Sequence, residues 1–242
     1  LSQLLKKDVI YEFRKNDILN GGEGAPLTPI YHHILRKKLK LENSILFLNL
    51  GGIANFTYTN ENSFFARDIG PGNCLMDMYM KKTKNLDYDK DGQLASLGKI
   101  DNSLISNIID HEYYNSNSTH SFDIKDFDIN FVKGLSIEDA LANLNYFTAK
   151  LISENIKNEI DAKKKIILCG GGRKNKTLIS NLKKLLNNKI YNIDEFNIDG
   201  DFIESQAFGY LSVRSLQNKN ISFPNTTKVK KSVTGGQLVT CD

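Results

Sequence analysis

Hydrophobic and polar positions alternate in several distinct patterns along the chain. Ile45-Leu-Phe-Leu-Asn-Leu50 is almost continuously apolar. It is followed by Gly51-Gly52, by Ile53-Ala-Asn-Phe-Thr-Tyr-Thr59, by a polar turn from Asn60 to Ser63, and by Phe64-Phe-Ala-Arg-Asp68. Three β-rich runs joined by short turns predict an antiparallel meander whose first strand is the most buried and whose third ends at Asp68. After Gly70-Pro-Gly72 the period changes. Leu75, Met76, Met78 and Tyr79 predict a helix over Asn73 to Lys82, with Asn73 as its N-cap. From about 84 to 134 the pattern weakens into a polar and aromatic stretch, read as an insertion with one short helix around Ser103 to Ile109.

Regular structure resumes at Ser136-Ile-Glu-Asp139, a capping-box pattern ahead of Leu141, Leu144, Phe147, Leu151, Ile152 and Ile156, which predicts a long amphipathic helix. The remainder alternates: strand Lys165 to Cys169, glycines 170 to 172, helix Thr177 to Leu186, strand Lys189 to Ile193, helix Asp201 to Ser215. The order β-β-β-α-α-β-α-β-α resembles an α/β ribonuclease-H-like domain of the sugar kinase, Hsp70 and actin superfamily. In that superfamily two such domains face each other across a nucleotide cleft. Residues 41–242 would form one such domain, and residues 1–40 the remnant of a first domain with a ligand-side loop. The chain opens with Leu1 directly into Leu4, Leu5, Val9, Ile10 and Phe13, and reads as a partial product.

Composition narrows the function classes. The 242 residues are 40% hydrophobic and 25% charged, so extended disorder is excluded. The net charge of +4 sits in short lysine runs such as Lys37 to Lys40, without the interleaved aromatic platform of a nucleic-acid binder. Cys74, Cys169 and Cys241 are far apart and odd in number, which predicts reduced thiols in a cytoplasmic setting and no zinc site. There is no apolar run of about 18 residues, so no membrane span is expected.

Three segments carry candidate chemistry. In Asn49-Leu-Gly-Gly-Ile-Ala-Asn55, glycines at a strand-to-strand turn let backbone amides approach an anion. Asp68-Ile-Gly-Pro-Gly-Asn73 sets a carboxylate beside a helix N-terminus, where a base and an anion site are both wanted. Gly170-Gly-Gly-Arg173 follows a buried strand, letting a ligand lie on the backbone with Arg173 placed to stack or pair with phosphate. All three belong at one edge of one sheet, where open α/β sheets bind ligands. A fourth segment, Gly21-Gly-Glu-Gly-Ala-Pro-Leu27, is a rigid loop suited to a polar ligand. His32 and His33, with no third ligand at metal spacing, are expected as surface or helix-cap residues, and Cys74 as a small packed side chain.

These segments resemble the anhydro-N-acetylmuramic acid kinase family. The likeness runs through Glu12-Phe-Arg14 with Asp17, the Gly21 to Leu27 loop, Asn49 to Asn55, Asp68 to Asn73 with Leu75, Met76 and Asp77, and Tyr88-Asp89 with Gly92. It continues through Ser121 with Asp123, Asp126 and Phe127, Gly170 to Arg173 with Asn175, and Glu204 with Ala207, Phe208, Leu211 and Arg214. The resemblance implies a kinase that uses ATP, with Mg²⁺ carried by the ATP, to phosphorylate O6 of 1,6-anhydro-N-acetylmuramic acid. Water opens the anhydro bridge at C1, and Asp68 is the base that activates it. Gly51, Gly52, Gly70, Gly72 and Asn73 would stabilise the transferring phosphoryl group, Gly170, Gly171, Gly172 and Arg173 would hold the nucleoside end, and Gly22, Glu23, Gly24, Ala25 and Pro26 the sugar. A cytoplasmic homodimer acting on small molecules, with no nucleic acid and no membrane partner, is also implied.

Three departures stand out. Glu23 replaces the family's usual Gln and adds a charge that would alter sugar contacts or pair with a nearby cation. His120 precedes Ser121 and Ile124 stands where the family has arginine. The family's N-terminal phosphate motif, Gly-x-x-Ser-Gly-Thr-Ser-x-Asp-Gly, is absent. Two alternatives follow: another amino-sugar kinase, or, for these 242 residues by themselves, a catalytically silent nucleotide- or sugar-binding module.

Overall fold

The computed structural model describes residues 1–41, 44–109, 122–161 and 164–241. Elements run in the order α1 (Ser2–Leu5), β1 (Val9–Tyr11), α2 (Lys15–Leu19), α3 (Pro29–Lys38), β2 (Ile45–Leu50), β3 (Ile53–Thr59), β4 (Phe64–Pro71), α4 (Cys74–Lys84) and α5 (Asn102–Ile109). They continue with α6 (Ile137–Glu159), β5 (Lys165–Cys169), α7 (Lys176–Leu185), β6 (Ile190–Asn192), α8 (Ile203–Leu216), α9 (Pro224–Thr227) and β7 (Gln237–Val239). The chain divides into two compact units: Leu1–Ile45, Thr57–Arg67 and Phe202–Asp242 form one, Leu46–Phe56 and Asp68–Asp201 the other.

The larger unit is organised on a five-stranded mixed sheet ordered β4-β3-β2-β5-β6, in which β5 and β6 run parallel with Ile167 opposite Tyr191. Strand β2 is central because it is apolar on both faces: Leu46, Phe47, Leu48 and Leu50 are all fully buried, each worth roughly 1.5–3 kcal/mol relative to exposure. Helix α6 packs against α4 and α7 and reaches under β4, where Asn155 Nδ2 donates to the Ile69 carbonyl at 3.2 Å. Only half of the predicted capping box forms. Ser136 Oγ accepts from the Asp139 amide, while the Asp139 carboxylate turns instead to the Lys99 amide at 2.7 Å.

Strand β4 runs on through Gly70 to Pro71, so Asp68 lies within the strand rather than at its end. The positive φ of Gly70, +135°, lets the strand continue into the helix without a Cβ at that residue. The last predicted helix starts two residues later than expected, at Ile203, behind a 3₁₀ turn at Gly200–Phe202. The insertion holds α5 and 3₁₀ turns at Lys90–Gly92, Ala95–Leu97, Ile124–Asp126 and Asn130–Val132. His120 and Ser121 lie outside the described residues.

In the smaller unit, β1 pairs antiparallel with β7, Ile10 opposite Leu238. A core of Leu27, Ile30, Leu211 and Ile221 is flanked by Phe13, Phe64, Phe208 and Phe223. His32 and His33 are buried here, 2% and 7% exposed, rather than on the surface or at a helix end. Their Nδ1 atoms bond Thr57 Oγ1 at 2.8 Å and Thr59 Oγ1 at 2.7 Å. The reason is α3, whose histidine-bearing side lies on the outer half of β3, where alternate threonines supply hydroxyls. Burial pushes the His32 imidazole down to about 4, so it is neutral at pH 7.

Candidate functional site

The candidate site is built around the carboxyl end of β2. The amides of Gly72 and Asn73 donate to the carbonyls of Gly52 and Gly51 at 2.9 and 2.8 Å, and Asn73 Nδ2 reaches the Leu50 carbonyl at 3.1 Å. Gly72 is a glycine for a steric reason: a Cβ there would run into the Gly51 carbonyl. The turn after β5 closes on the same place. Gly170 has φ +78° and lies against Asn49 and the Leu50 carbonyl, and a Cβ on Gly172 would meet Leu50 and Asn73. The three glycine segments, spread from Gly51 to Gly172 in sequence, are therefore gathered at one strand end.

Gathering changes what two of them can offer. Asn73 occupies the N-cap position of α4, but its side chain caps nothing: Nδ2 donates to the Leu50 carbonyl and Oδ1 is turned toward Gly172. The amides of Gly72 and Asn73, expected to face an anion, are used in the interlock with Gly51 and Gly52. The third segment keeps an accessible backbone: a Cβ at Gly171 would meet no described atom within 4 Å.

Asp68 is half-buried, and its Oδ2 accepts the amide of Phe122 at 3.0 Å. The contact comes from the insertion, whose Phe122 and Phe127 rings pack 5.4 Å apart. Cys74, close by in sequence, is buried and its thiol is pushed up to about 11 by that burial, so it stays protonated and packs as a small apolar group.

Arg173 does not present its guanidinium for a ligand. It is 3% exposed and held by Asp194 (Nε to Oδ2, 2.9 Å), by Asp201 (2.9 Å) and by the Gly170 carbonyl (3.2 Å). Its hydrogen bond holds the Asp194 carboxyl below the usual carboxylate range; for Asp201 the bond from Lys174 is the larger cause and Arg173 the second. Arg173 thus ties the glycine turn to the loop after β6. A cavity of about 500 Å³ opens beside the turn, lined by Asn73, Asp77, Tyr88, Gly171, Gly172 and Asn175 among others. Burial, with the charge of Asp87 second, raises the Asp77 carboxyl to about 6.

Beneath the cavity lies a polar network that the residue pattern did not reveal. Asn175 caps α7 through the Leu178 amide at 3.0 Å. Asn145 Nδ2 reaches Asn175 Oδ1 at 3.3 Å, and Asn181 Nδ2 reaches Asn145 Oδ1 at 2.9 Å. Asn145 and Asn181 fall on buried faces of α6 and α7, and a polar residue interrupting each apolar stripe was the available signal.

The Gly22 to Pro26 loop belongs to the smaller unit. Asp17 is fully buried at its centre, taking the Gly24 amide at 2.7 Å and the Thr227 hydroxyl at 2.6 Å. Gly22 lies against the Asp17 carboxylate, Arg14 Nη1 donates to the Gly24 carbonyl, and Ala25-Pro26 is a cis peptide. The additional charge of Glu23 is paired with Lys228 at 2.6 Å.

Fold and site together define a mixed α/β protein with a cavity at the carboxyl end of its central strand. The family model for anhydro-N-acetylmuramic acid kinase matches residues 2–240, and the chain belongs to that family. It is 49% identical to the anhydro-N-acetylmuramic acid kinase of Pelagibacter ubique (strain HTCC1062) over 249 residues, covering 99% of this chain and 66% of the relative. With that of Zymomonas mobilis it shares 40% over 240 residues, 98% of this chain and 65% of the relative. The chain thus spans about two-thirds of the length of these relatives. A solved activator of 2-hydroxyisocaproyl-CoA dehydratase from Clostridium difficile, with bound ADPNP, superimposes with a TM-score of 0.47 at 16% identity, over 75% of this chain and 66% of that one. No described helix is long and apolar enough to cross a membrane.

Proposed function

We propose that this chain carries the nucleotide site and the base of an anhydro-N-acetylmuramic acid kinase. The observation that carries the reading is the convergence of the 51–52, 70–73 and 170–172 segments at the end of β2, beside a cavity of nucleoside size. The strand order β4-β3-β2-β5-β6, with a meander on one side of β2 and parallel strands on the other, supports a ribonuclease-H-like domain. Residues 1–40 would then belong to the sugar side.

In the reaction, Asp68 takes a proton from water as the water oxygen bonds C1 of the anhydro sugar. The C1–O6 bond breaks, and O6 attacks the γ-phosphorus of ATP in line, releasing ADP and giving N-acetylmuramic acid 6-phosphate. The Phe122 amide orients the Asp68 carboxylate for that transfer. The backbone at Gly51 and Gly52 would serve the transferring phosphoryl group and that at Gly171 and Gly172 the nucleoside end, whereas the amides of Gly72 and Asn73 hold the turn in shape. The Gly22 to Pro26 loop, stiffened by Asp17, would contact the sugar. Mg²⁺ would neutralise phosphate charge, and among the described residues no group of three carboxylates, histidines or cysteines forms a cage for it, so no residue of this chain is assigned to it. A cytoplasmic homodimer completes the reading; light scattering after size exclusion reads the oligomer.

The test is ³¹P NMR with ATP, Mg²⁺ and the anhydro sugar. Asp68→Asn is expected to abolish the sugar phosphate signal while ATP still binds. Turnover equal to that of the unsubstituted protein would remove Asp68 as base, and preference for open-chain amino sugars would favour another amino-sugar kinase. The same assay on the 242-residue chain reads whether this span suffices for transfer or only binds.

A further inference from the structure

The cavity beside Gly171 and Gly172 has three carboxylates in its wall, and they are not equivalent. Asp89 is committed to its own segment, accepting the amides of Leu94 and Ala95 at 3.0 Å each. Asp91 faces Lys176 at 3.9 Å. Asp77 makes no side-chain hydrogen bond among the described residues, although it is half-buried. Two lysines share the wall: Lys174 is drawn away to Asp201 at 2.6 Å, and Lys90 makes no ion pair with Asp77 among the described residues. A half-buried carboxylate without donors is an acceptor awaiting one.

Its place along α4 narrows the donor. The Asp77 amide bonds the Asn73 carbonyl at 2.9 Å, so the two residues are stacked one helical turn apart on one face. Asn73 is locked into the phosphate end of the site at Leu50 and Gly51. The helical rise sets Asp77 about 6 Å beyond Asn73 along α4, on the side away from Gly51 and Gly52; its charge would repel phosphate, so it is suited to a neutral part of a nucleotide that follows the phosphates. The neutral donors there are the paired hydroxyls of a ribose, whose spacing suits the two oxygens of one carboxylate.

We propose that Asp77 is the residue that makes this cavity selective for ribonucleotides, by accepting hydrogen bonds from the vicinal ribose hydroxyls; the proposal rests on the nucleotide reading above. Asp77 acts on binding and takes no part in phosphoryl transfer. Burial and the Asp87 charge, which hold its carboxyl near 6 in the free protein, add to the demand for donors.

Titration calorimetry at pH 8 with ATP and 2′-deoxy-ATP, on the unsubstituted protein, Asp77→Asn and Asp77→Ala, tests this. The unsubstituted protein is expected to favour ATP by about ten-fold, the worth of a hydrogen bond to a charged group. Asp77→Ala should bring that ratio close to one by weakening ATP while leaving 2′-deoxy-ATP within two-fold. Asp77→Asn, which keeps shape and one acceptor, should fall between and carries the test should the alanine variant fail to fold. A ratio unchanged in both variants overturns the proposal, as does equal loss of both nucleotides, which would place the contact on the base. An unsubstituted protein that binds ATP without discrimination overturns the proposal alone; one that binds neither nucleotide overturns the nucleotide reading with it.

Discussion

At residues 21–26 a glycine-rich loop is held by a side chain. Asp17, wholly buried, takes one amide and one hydroxyl, and Gly22 is small because that carboxylate occupies the space a Cβ would need. At residues 51–52 and 70–73 the glycines are held by backbone on backbone, with Gly72 pressed against the Gly51 carbonyl and the amides of 72 and 73 spent on the facing turn. The same composition thus makes two different objects. One depends on a buried acid and its donors, so it is vulnerable to loss of one side chain; the other depends on close approach, so it is vulnerable to gain of one methyl group.

The sharpest way to break that contrast is Asp17→Ala. It orphans the buried Gly24 amide and leaves the Thr227 hydroxyl only its long 3.5 Å contact to the Phe223 carbonyl, and should cost about 3–5 kcal/mol in urea denaturation. A loss below about 1 kcal/mol would mean that the loop does not need its acid. Next in size is a pH effect in the same unit. The His32 imidazole is depressed to about 4 against an ordinary 6.5, so the unfolded chain binds the proton first. Stability is then complete above pH 6.5 and falls by about 3 kcal/mol as pH drops through 6.5 to 4. In His32→Gln that component of the slope should vanish.

The backbone-built turns are probed by methyl groups. Gly72→Ala should destabilise by about 1–3 kcal/mol, because the obstacle is a carbonyl that cannot swing aside. Gly171→Ala meets no described atom and should stay within about 0.5 kcal/mol, yet reduce ATP affinity about ten-fold if the nucleoside end lies on the backbone there. Equal effects of the two substitutions on stability would erase the distinction between a packed and an accessible glycine. The smallest effect is expected at Glu23→Gln. It removes an ion pair to Lys228 whose side chain is half exposed, worth about 0.5 kcal/mol or less by thermal melting.

Much of the fold was legible because periodicity carries it. The boundaries of β2, β3 and β5 match the apolar runs, and α6 follows the spacing that begins at Ser136. Strand pairing between β1 and β7 was not legible, since three-residue strands more than 200 residues apart leave no local pattern. The buried asparagines and histidines were missed for a related reason: a polar residue on an apolar face is satisfied only by a partner distant in sequence, such as Thr57 for His32 or Asn181 for Asn145.

Glycine identity and spacing, read alone, determined that three turns would meet at one sheet edge, because strand direction and short connections leave little choice. What they could not determine is which amides and charges remain available after the meeting. That was decided by tertiary contacts: Arg173 is consumed by Asp194 and Asp201, the amides of Gly72 and Asn73 by the neighbouring turn, and the charge of Glu23 by Lys228. The physical reason is that a donor's availability is a property of its whole neighbourhood, while a motif records only the residues on one stretch of chain.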